Sequence, residues 1–290
     1  MSLKNITGVD HAVVVVNDLD GAAQNWKRLG FTVSPRGTHS AKMGTGNYTI
    51  MLAEDYLELL GVLDETEHNA PTRAFLARTG GGIERVAFTA PDAAEGAKEI
   101  RTRGYPPIGP TDFERPVTLP DGRQSAAKFA TFQWPIDQAP GGVRLFACQH
   151  KTRDAVWIPE LQRHANTAKR IERILIVSPD PKADAGQLAT MIDVPATTEP
   201  DGTSPESTWQ VASGPGRADF VFLTRDLLGR QYPGVPMAGL PERGGIGLVL
   251  AVDDLPSARR ALGTAAVQSG DALAVPAAAS NNAMLVFVAK

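Results

Sequence analysis

Charged and imidazole side chains interrupt several apolar stretches of this chain, and they are the residues best suited to chemistry. Glu58 lies within the apolar run 57–62, and Arg85 interrupts a second apolar run. A charge inside such a strand must be exposed or paired, so we expect these two residues to form an ion pair across a cleft. The alternatives are a solvated face for each residue, or a carboxylate ligand that Arg85 holds through two hydrogen bonds. His11 lies in a third apolar run, as a core histidine satisfied by a neighbour or as a functional group.

Two further pairs of polar residues have a functional and a structural interpretation. His39 and Asn47 flank a glycine-rich segment, so they are turn residues or a polar pair lining a cleft. Cys148 and His150 are two residues apart and share one face of a strand. They form a thiol–imidazole nucleophile, or a buried inert cysteine beside a histidine at the end of a strand.

One sequence pattern occurs four times and contains both His11 and Arg85. Each copy is an apolar, β-branched stretch that ends in aspartate and precedes a segment of helical periodicity, which the aspartate can cap. The four copies are residues 8–18, 82–92, 170–180 and 244–254. When they are aligned on the aspartate, one variable position holds His11, Arg85, Arg173 and Gly247.

Each copy begins a unit of one strand, one helix and three further strands. In the first unit the three later strands are predicted at Phe31–Ser34, Tyr48–Ala53 and Tyr56–Val62. The first strand is apolar on both faces, with Val9, Val13 and Val15 predicted on one face and Ala12 on the other. One face can pack on the helix, and the other needs a partner sheet or a ligand-filled cleft.

We therefore predict an α+β fold in which four βαβββ modules form two domains. The first domain, residues 1–150, contains modules 6–62 and 82–149 and the candidate cleft. Residues 151–169 form the linker. The second domain, residues 170–290, contains modules 170–225 and 244–290.

Bulk composition excludes several classes of function. A net charge of −3 and an isoelectric point near 6.0 argue against binding to nucleic acid or to an anionic membrane. The apolar runs are far shorter than the roughly 20 residues that span a bilayer. The single cysteine excludes an internal disulfide and fits a reducing compartment, so a cytoplasmic bacterial protein is the expectation.

Several short motifs, taken in order, resemble the vicinal oxygen chelate superfamily and within it the glyoxalase-like domain group. The superfamily includes glyoxalase I, extradiol dioxygenases and bleomycin- and fosfomycin-resistance proteins. The motifs are Val9-Asp10-His11, Leu29-Gly30-Phe31-Thr32-Val33, Gly44-Thr45-Gly46-Asn47, Tyr56-Leu57-Glu58-Leu59-Leu60 and Phe146-Ala147-Cys148-Gln149-His150. The resemblance implies two domains built from paired βαβββ modules.

The resemblance also implies a divalent metal held by four residues on the first and last strands of two paired modules. In this chain those positions are His11, Glu58, Arg85 and Phe146. His11 and Glu58 suit zinc, manganese, nickel or iron, whereas arginine and phenylalanine offer no ligand atom. The matching positions of the second domain include Arg173, Gly247 and either Phe220 or Phe222, none of which chelates.

The sequence supports two classes of function for the first domain. The first is a lyase- or isomerase-type enzyme that binds a small oxygenated, anionic metabolite. Glu58 and His11 would be catalytic or metal-binding, with Arg85, His39, Asn47 and Phe146 contacting substrate. The alternative is a metal-free protein that binds or sequesters a small molecule, as resistance proteins do. Neither nucleic acid nor membrane is an expected partner, and the chain could form a homodimer.

Overall fold

The computed structural model describes most of the chain, and its elements repeat in one order. The described residues are 3–119, 122–198, 208–237 and 240–290. The first module comprises β1 (Val9–Val16), α1 (Leu19–Arg28), β2 (Gly37–Thr38), β3 (Thr45–Met51) and β4 (Tyr56–Val62). After the connecting helix α2 (Ala70–Thr79), the second module comprises β5 (Gly82–Thr89), α3 (Ala93–Thr102), β6 (Ile108–Thr118), β7 (Gln124–Gln133) and β8 (Arg144–His150).

The second half of the chain repeats this plan. The third module comprises β9 (Ala168–Val177), α4 (Pro181–Ile192), β10 (Ala196–Thr198), β11 (Trp209–Ala212) and β12 (Asp219–Leu223). After the connecting helix α5 (Arg225–Gln231), the fourth module comprises β13 (Gly244–Val252), α6 (Leu255–Leu262), β14 (Val267–Ser269), β15 (Ala272–Val275) and β16 (Met284–Ala289). No helix among the described residues combines the length and the apolar character needed to cross a membrane.

Within each module the first strand pairs in parallel with the last, and paired modules join through their first strands. β1 pairs in parallel with β4 and antiparallel with β5, which in turn pairs in parallel with β8. Eight strands therefore follow the order β2-β3-β4-β1-β5-β8-β7-β6, and β9 to β16 repeat this order. The two sets of strands meet where Gly245 pairs with Ile83. This topology confirms the predicted α+β fold of four modules in two domains.

The repeated aspartate caps its helix in three modules. The side chains of Asp18, Asp92 and Asp180 accept backbone N–H groups at the starts of α1, α3 and α4. These bonds satisfy amide groups that have no partner within the helix. Asp254 makes no such bond, and its carboxylate accepts the hydroxyl of Ser257 instead.

A β-bulge recurs at one place in the first strand of every module. The pairing register skips Asp10 in β1, Glu84 in β5, Glu172 in β9 and Ile246 in β13. Each of these residues directly precedes the variable position of the repeat. Because a bulge inserts one unpaired residue, it brings two consecutive side chains toward the same side of the sheet. The bulge therefore controls what stands beside each variable residue.

The bulge also changes which apolar residues share a face. Val9 packs with Ala12 in the core beneath the helices, whereas Val13 and Val15 pack on the opposite face. The prediction that Val9 shares a face with Val13 and Val15 is wrong, because the extra residue Asp10 shifts the alternation by one. The strand predicted at Phe31–Ser34 is also absent from the structure, where the next strand is the two-residue β2.

The segment between β8 and β9 is tied to the first module. The His164 ring accepts the amide N–H of Thr32 at 3.0 Å and donates to the carbonyl of Met51 at 2.9 Å. Asn166 donates to the carbonyl of Leu29 at 2.9 Å, and its side chain is buried. These bonds fix the path of the chain between the two halves.

Candidate functional site

The concave face of the first eight strands surrounds a cavity of about 540 Å³. The edge strands β2 and β6 come into contact, so the sheet is strongly curled around it. Aromatic side chains form much of the wall, namely Tyr56, Phe113, Phe129 and Phe146. The structure brings together at this cavity all of the residues predicted to act in catalysis or binding: His11, His39, Asn47, Glu58, Arg85 and Phe146.

His11 is buried, and the neighbouring bulge fixes its orientation. Its Nδ1 lies 2.7 Å from Oδ1 of Asp10, and since a carboxylate only accepts, Nδ1 donates. Its Nε2 lies 3.6 Å from Oε2 of Glu58 and 3.4 Å from the Tyr56 hydroxyl. The imidazole stacks on Tyr56 with ring centroids 4.1 Å apart. This arrangement directs Nε2, the nitrogen that does not bond Asp10, into the cavity.

Asp10 is fully buried and joins two histidines. Besides His11, it accepts Nε2 of His150 at 2.9 Å and the hydroxyl of Thr89 at 2.9 Å. Burial alone would raise the pKa of this carboxyl group, but the charges and hydrogen bonds of His150 and His11 outweigh it and lower the pKa well below its usual range. Asp10 is therefore an ionised carboxylate that accepts hydrogen bonds from both imidazoles.

Glu58 faces His11 because β1 and β4 pair in parallel. Glu58 lies opposite Val13, which places its side chain one step along the same face from His11. Asn47 donates its amide to Oε1 of Glu58 at 2.6 Å, leaving Oε2 directed at His11. The Glu58 side chain is 11% exposed, so it reaches the cavity while most of it is shielded from solvent.

Arg85 does not pair with Glu58, and that prediction is wrong. The bulge at Glu84 brings this carboxylate beside Arg85, whose Nε lies 2.6 Å from Oε2 of Glu84. The same guanidinium donates to the hydroxyl of Thr72 on α2 at 2.8 Å, and Arg144 binds the second oxygen of Glu84 at 2.7 Å. Burial would raise the pKa of Glu84, but Arg85 and Arg144 lower it. Arg85 is thus held in a local network at the cavity wall.

His39 and Phe146 occupy different parts of the wall. Nδ1 of His39 lies 2.8 Å from the Thr45 hydroxyl, and burial lowers the pKa of His39, which favours its neutral form. The ring of Phe146 meets His11 edge-on at 5.2 Å between centroids. Phe146 therefore supplies apolar surface beside the imidazole.

Sequence reasoning missed three residues of this cavity or its immediate surroundings. Asp10 was visible in the motif Val9-Asp10-His11, but a strict alternation of faces directs it away from His11. Tyr56 begins an apolar strand, so the sequence indicates only a packing role, but its hydroxyl lies close to the imidazole of His11. Arg115 lies on β6, where polar and apolar residues alternate weakly, and it also lines the cavity. Only the bulge and the curl of the sheet reveal these residues.

The family of the chain follows from a sequence comparison. A family model described as "Glyoxalase-like domain" matches residues 9–192, which include the whole cavity. The chain belongs to this glyoxalase-like domain family. The resemblance to the vicinal oxygen chelate superfamily is thereby confirmed. No curated protein sequence matches the chain.

Several solved structures are similar to this glyoxalase-like protein, and those with TM-scores above 0.6 share its fold. A hypothetical protein from Staphylococcus aureus is 13% identical with a TM-score of 0.65, over 97% of this chain and 99% of that one. A mutant 4-hydroxymandelate synthase from Streptomyces coelicolor is 14% identical with a TM-score of 0.63, over 98% of this chain and 93% of that one. Methylmalonyl-CoA epimerase from Mycobacterium tuberculosis is 21% identical with a TM-score of 0.41, over 53% of this chain and 94% of that one.

The four-ligand metal site of the superfamily does not fit the residues at these positions. His11 and Glu58 offer donor atoms 3.6 Å apart, and the second carboxylate at Asp10 orients His11 as a metal-binding histidine is usually oriented. Arg85, however, is a cation bound to Glu84, and Phe146 carries no donor atom. Two protein ligands fall short of the three that a catalytic zinc site usually has.

A second group of potential ligands lies behind His11. Donor atoms of Asp10, Cys148 and His150 all lie within 4.8 Å of one another. The oxygens of Asp10 already accept hydrogen bonds from both histidines and from Thr89, and a metal would have to replace them. Burial raises the pKa of the Cys148 thiol well above its usual range, which opposes both metal binding and nucleophilic attack.

The second glyoxalase-like domain has apolar side chains where the first has its cavity. The strand register places Val221 and Val286 at the positions that Glu58 and Phe146 hold in the first domain. The prediction of Phe220 or Phe222 is wrong, since both pack in the core beneath the helices. Residues of α5 and of the segment after it fill the concave face, including Leu227, Leu228, Val235 and Leu240.

Proposed function

We propose that the first domain binds a small oxygenated metabolite and catalyses proton transfer on it, as a lyase or isomerase, without the four-ligand metal of the superfamily. One observation carries this proposal. His11 lies between two carboxylates, with its Nδ1 2.7 Å from Asp10 and its Nε2 3.6 Å from Glu58, and His11 and Glu58 both line the cavity. This arrangement resembles the general pattern in which one group orients a histidine toward a second acid or base.

In this proposal Glu58 accepts a proton from a carbon next to a carbonyl group. The electron pair of the broken C–H bond moves onto the carbonyl oxygen, which becomes an enolate. His11, held in place by its bond to Asp10, acts as the general acid and donates a proton through Nε2 to that oxygen or to a departing group. Return of the proton from Glu58 to another carbon, with the proton on oxygen passing back to His11 as a carbonyl group re-forms, completes an isomerisation. Departure of a group from the adjacent carbon together with the His11 proton completes an elimination.

The surroundings support this division of roles. Asn47 fixes one oxygen of Glu58 by a 2.6 Å bond, so the other oxygen has a defined direction. The Tyr56 hydroxyl stays protonated because burial raises its pKa well above the usual range, and it can donate to an oxygen atom of the substrate. Aromatic side chains line the cavity beside these groups, and their low polarity strengthens the interactions.

The test is hydrogen–deuterium exchange on small carbonyl compounds in D₂O, followed by NMR. Wild-type protein should accelerate exchange at the carbon next to the carbonyl of 2-oxobutyrate, dihydroxyacetone or lactaldehyde above the rate in buffer. Glu58→Gln should lower the accelerated rate by about 10²–10⁴-fold, the usual contribution of a general base. Glu65→Gln is the matched control, because Glu65 is 77% exposed and pairs with Arg73. Equal rates for wild type and Glu58→Gln would remove Glu58 from the mechanism.

The alternative is a protein that binds or sequesters a small molecule without transforming it. The aromatic lining of the cavity favours this function, since such walls bind apolar rings and alkyl groups without any reactive group. The same experiment separates the two proposals. Binding of a probe, seen as NMR line broadening, together with no acceleration of exchange supports sequestration.

The proposed site belongs to residues 1–150, which we propose as a domain separate from 170–290, with 151–169 as the linker.

A further inference from the structure

Three cationic side chains line the cavity, and they differ in their partners. Arg85 binds Glu84 and Thr72, and Lys42 is exposed to solvent. Arg115 is partly buried and forms no hydrogen bond or ion pair with any described residue. The cavity carboxylate of Asp112 does not compensate it, because Asp112 binds Lys151 at 2.6 Å. Among the described residues, Arg115 is therefore the partly buried cavity cation that is bound to no carboxylate.

We propose that Arg115 binds the carboxylate group of the substrate, and that the first domain is selective for small carboxylic acids over their uncharged analogues. This proposal rests on the proposed function, because it assigns the substrate class of the same cavity.

The position of Arg115 suits this role. Its strand β6 pairs with β7 so that Arg115 lies opposite Ala127, a small residue, and two residues from Phe113 of the cavity wall. Its side chain extends over Gly37, where an added Cβ would lie 3.4 Å from both Cδ and Nη1. Asn47, which binds Glu58, lies over the same glycine. The guanidinium is thus near the proton-transfer groups without being bound to them.

The electrostatics of the cavity are consistent with an anionic guest. Burial lowers the pKa of Arg115, while the Tyr56 and Glu58 side chains raise it. The negative charge of Glu58 therefore attracts the guanidinium across the cavity. A partly buried guanidinium that is hydrogen-bonded to no carboxylate is costly, and a ligand carboxylate would reduce that cost with two parallel hydrogen bonds. The planar fork of a guanidinium matches the two oxygens of a carboxylate.

The combined arrangement defines the ligand by chemistry. A carboxylate at Arg115, an apolar body against Phe113 and Phe129, and an oxygenated carbon near Glu58 and His11 fit one small molecule in a cavity of about 540 Å³. Arginine fixes the orientation of a carboxylate in a plane, which would present the opposite end of the molecule to Glu58.

The experiment compares two probes of nearly equal shape, phenylacetate and phenylacetamide, by isothermal titration. Wild type should bind phenylacetate at least tenfold more tightly than phenylacetamide. Arg115→Met should abolish this difference by weakening phenylacetate alone, and Arg115→Lys should retain part of it, because lysine keeps the charge but not the planar fork. Arg36→Met is the matched control, since Arg36 pairs with Asp20 and does not line the cavity. Unchanged circular dichroism would show that each variant folds.

The outcomes separate this inference from the proposed function. Glu58→Gln should retain the preference for phenylacetate while losing proton exchange. If selectivity depends on Arg115 but no carbonyl compound exchanges, the carboxylate site stands and the enzymatic proposal fails. A preference that survives Arg115→Met, a wild type that does not distinguish the probes, or no binding of phenylacetate at millimolar concentration would each overturn the inference.

Discussion

Asp10→Asn is expected to destabilise the protein while keeping its shape. The asparagine oxygen can still accept from His11 and His150, and its amide can donate to the Thr89 hydroxyl. What is lost is the negative charge. A hydrogen bond to a charged group contributes roughly 1 kcal/mol more than a neutral one, so the two histidine bonds predict a loss of about 2 kcal/mol. For a chain of this size that loss corresponds to a melting temperature roughly 3 °C lower.

The pH dependence follows from the lowered pKa of Asp10. The ordinary value is 3.8, and the folded value lies well below it. A group of this kind stabilises the folded state above its unfolded pKa, and the stabilisation disappears as the pH falls through the folded pKa. The difference in unfolding free energy between wild type and Asp10→Asn should therefore be constant from pH 7 to about 4 and shrink below that.

Urea unfolding between pH 3 and pH 7, followed by circular dichroism, measures this difference. The control is Asp112→Asn, because Asp112 lines the same cavity but is 74% exposed and pairs with Lys151. An exposed pair of this kind should change the free energy of unfolding by less than about 1 kcal/mol. If Asp10→Asn were as stable as the control, or if the difference grew on acidification, the reasoning about His11 and its carboxylate would fail.

Two further carboxyl groups give separate predictions. Burial raises the pKa of Asp55 to about 8, so the folded state holds a proton that the unfolded state releases. The free energy of unfolding should therefore fall as the pH rises from about 4 to 8, by at most about 1.4 kcal/mol per pH unit. Asp55→Asn should flatten this slope in urea unfolding curves, and an unchanged slope would contradict it. Glu84→Gln should cost about 3 kcal/mol of stability in the same assay, because it leaves Arg85 and Arg144 without their carboxylate. A loss no larger than that of the exposed Glu65→Gln would refute this.

The fold could be predicted from the sequence because its signals are local and repeated. An apolar β-branched run, a capping aspartate and a helical periodicity recur four times, and each signal acts within about twenty residues of chain. The connecting helices were not predicted, because they carry no such repeated local signal. Only Thr72 of α2 is buried, so the helix lacks the apolar stripe by which a surface helix is usually recognised.

The residues that line the candidate site could be predicted from the sequence, but the predicted ion pair between them was wrong. The residue types at His11, Glu58 and Arg85 indicate a polar cavity, and all three line one. The expected ion pair between Glu58 and Arg85 assumed regular strands, in which Glu84 faces away from Arg85. The bulge turns Glu84 to the same side, where a charge one residue away competes with one across the cavity. A bulge changes partners without changing composition, so residue patterns alone do not reveal it.

The connecting helices explain why two domains of one topology differ in what they enclose. α2 presents Thr72 to the cavity, and its hydroxyl binds Arg85 at the wall. α5, at the equivalent place in the second domain, buries Leu227 and Leu228 against the concave face. Burial of these apolar side chains stabilises the second domain, and the first domain lacks this stabilisation because its cavity is not filled. The first domain therefore has less stabilising packing, and its polar groups line an open cavity. This loss of packing is expected where a ligand, rather than the chain itself, fills the space.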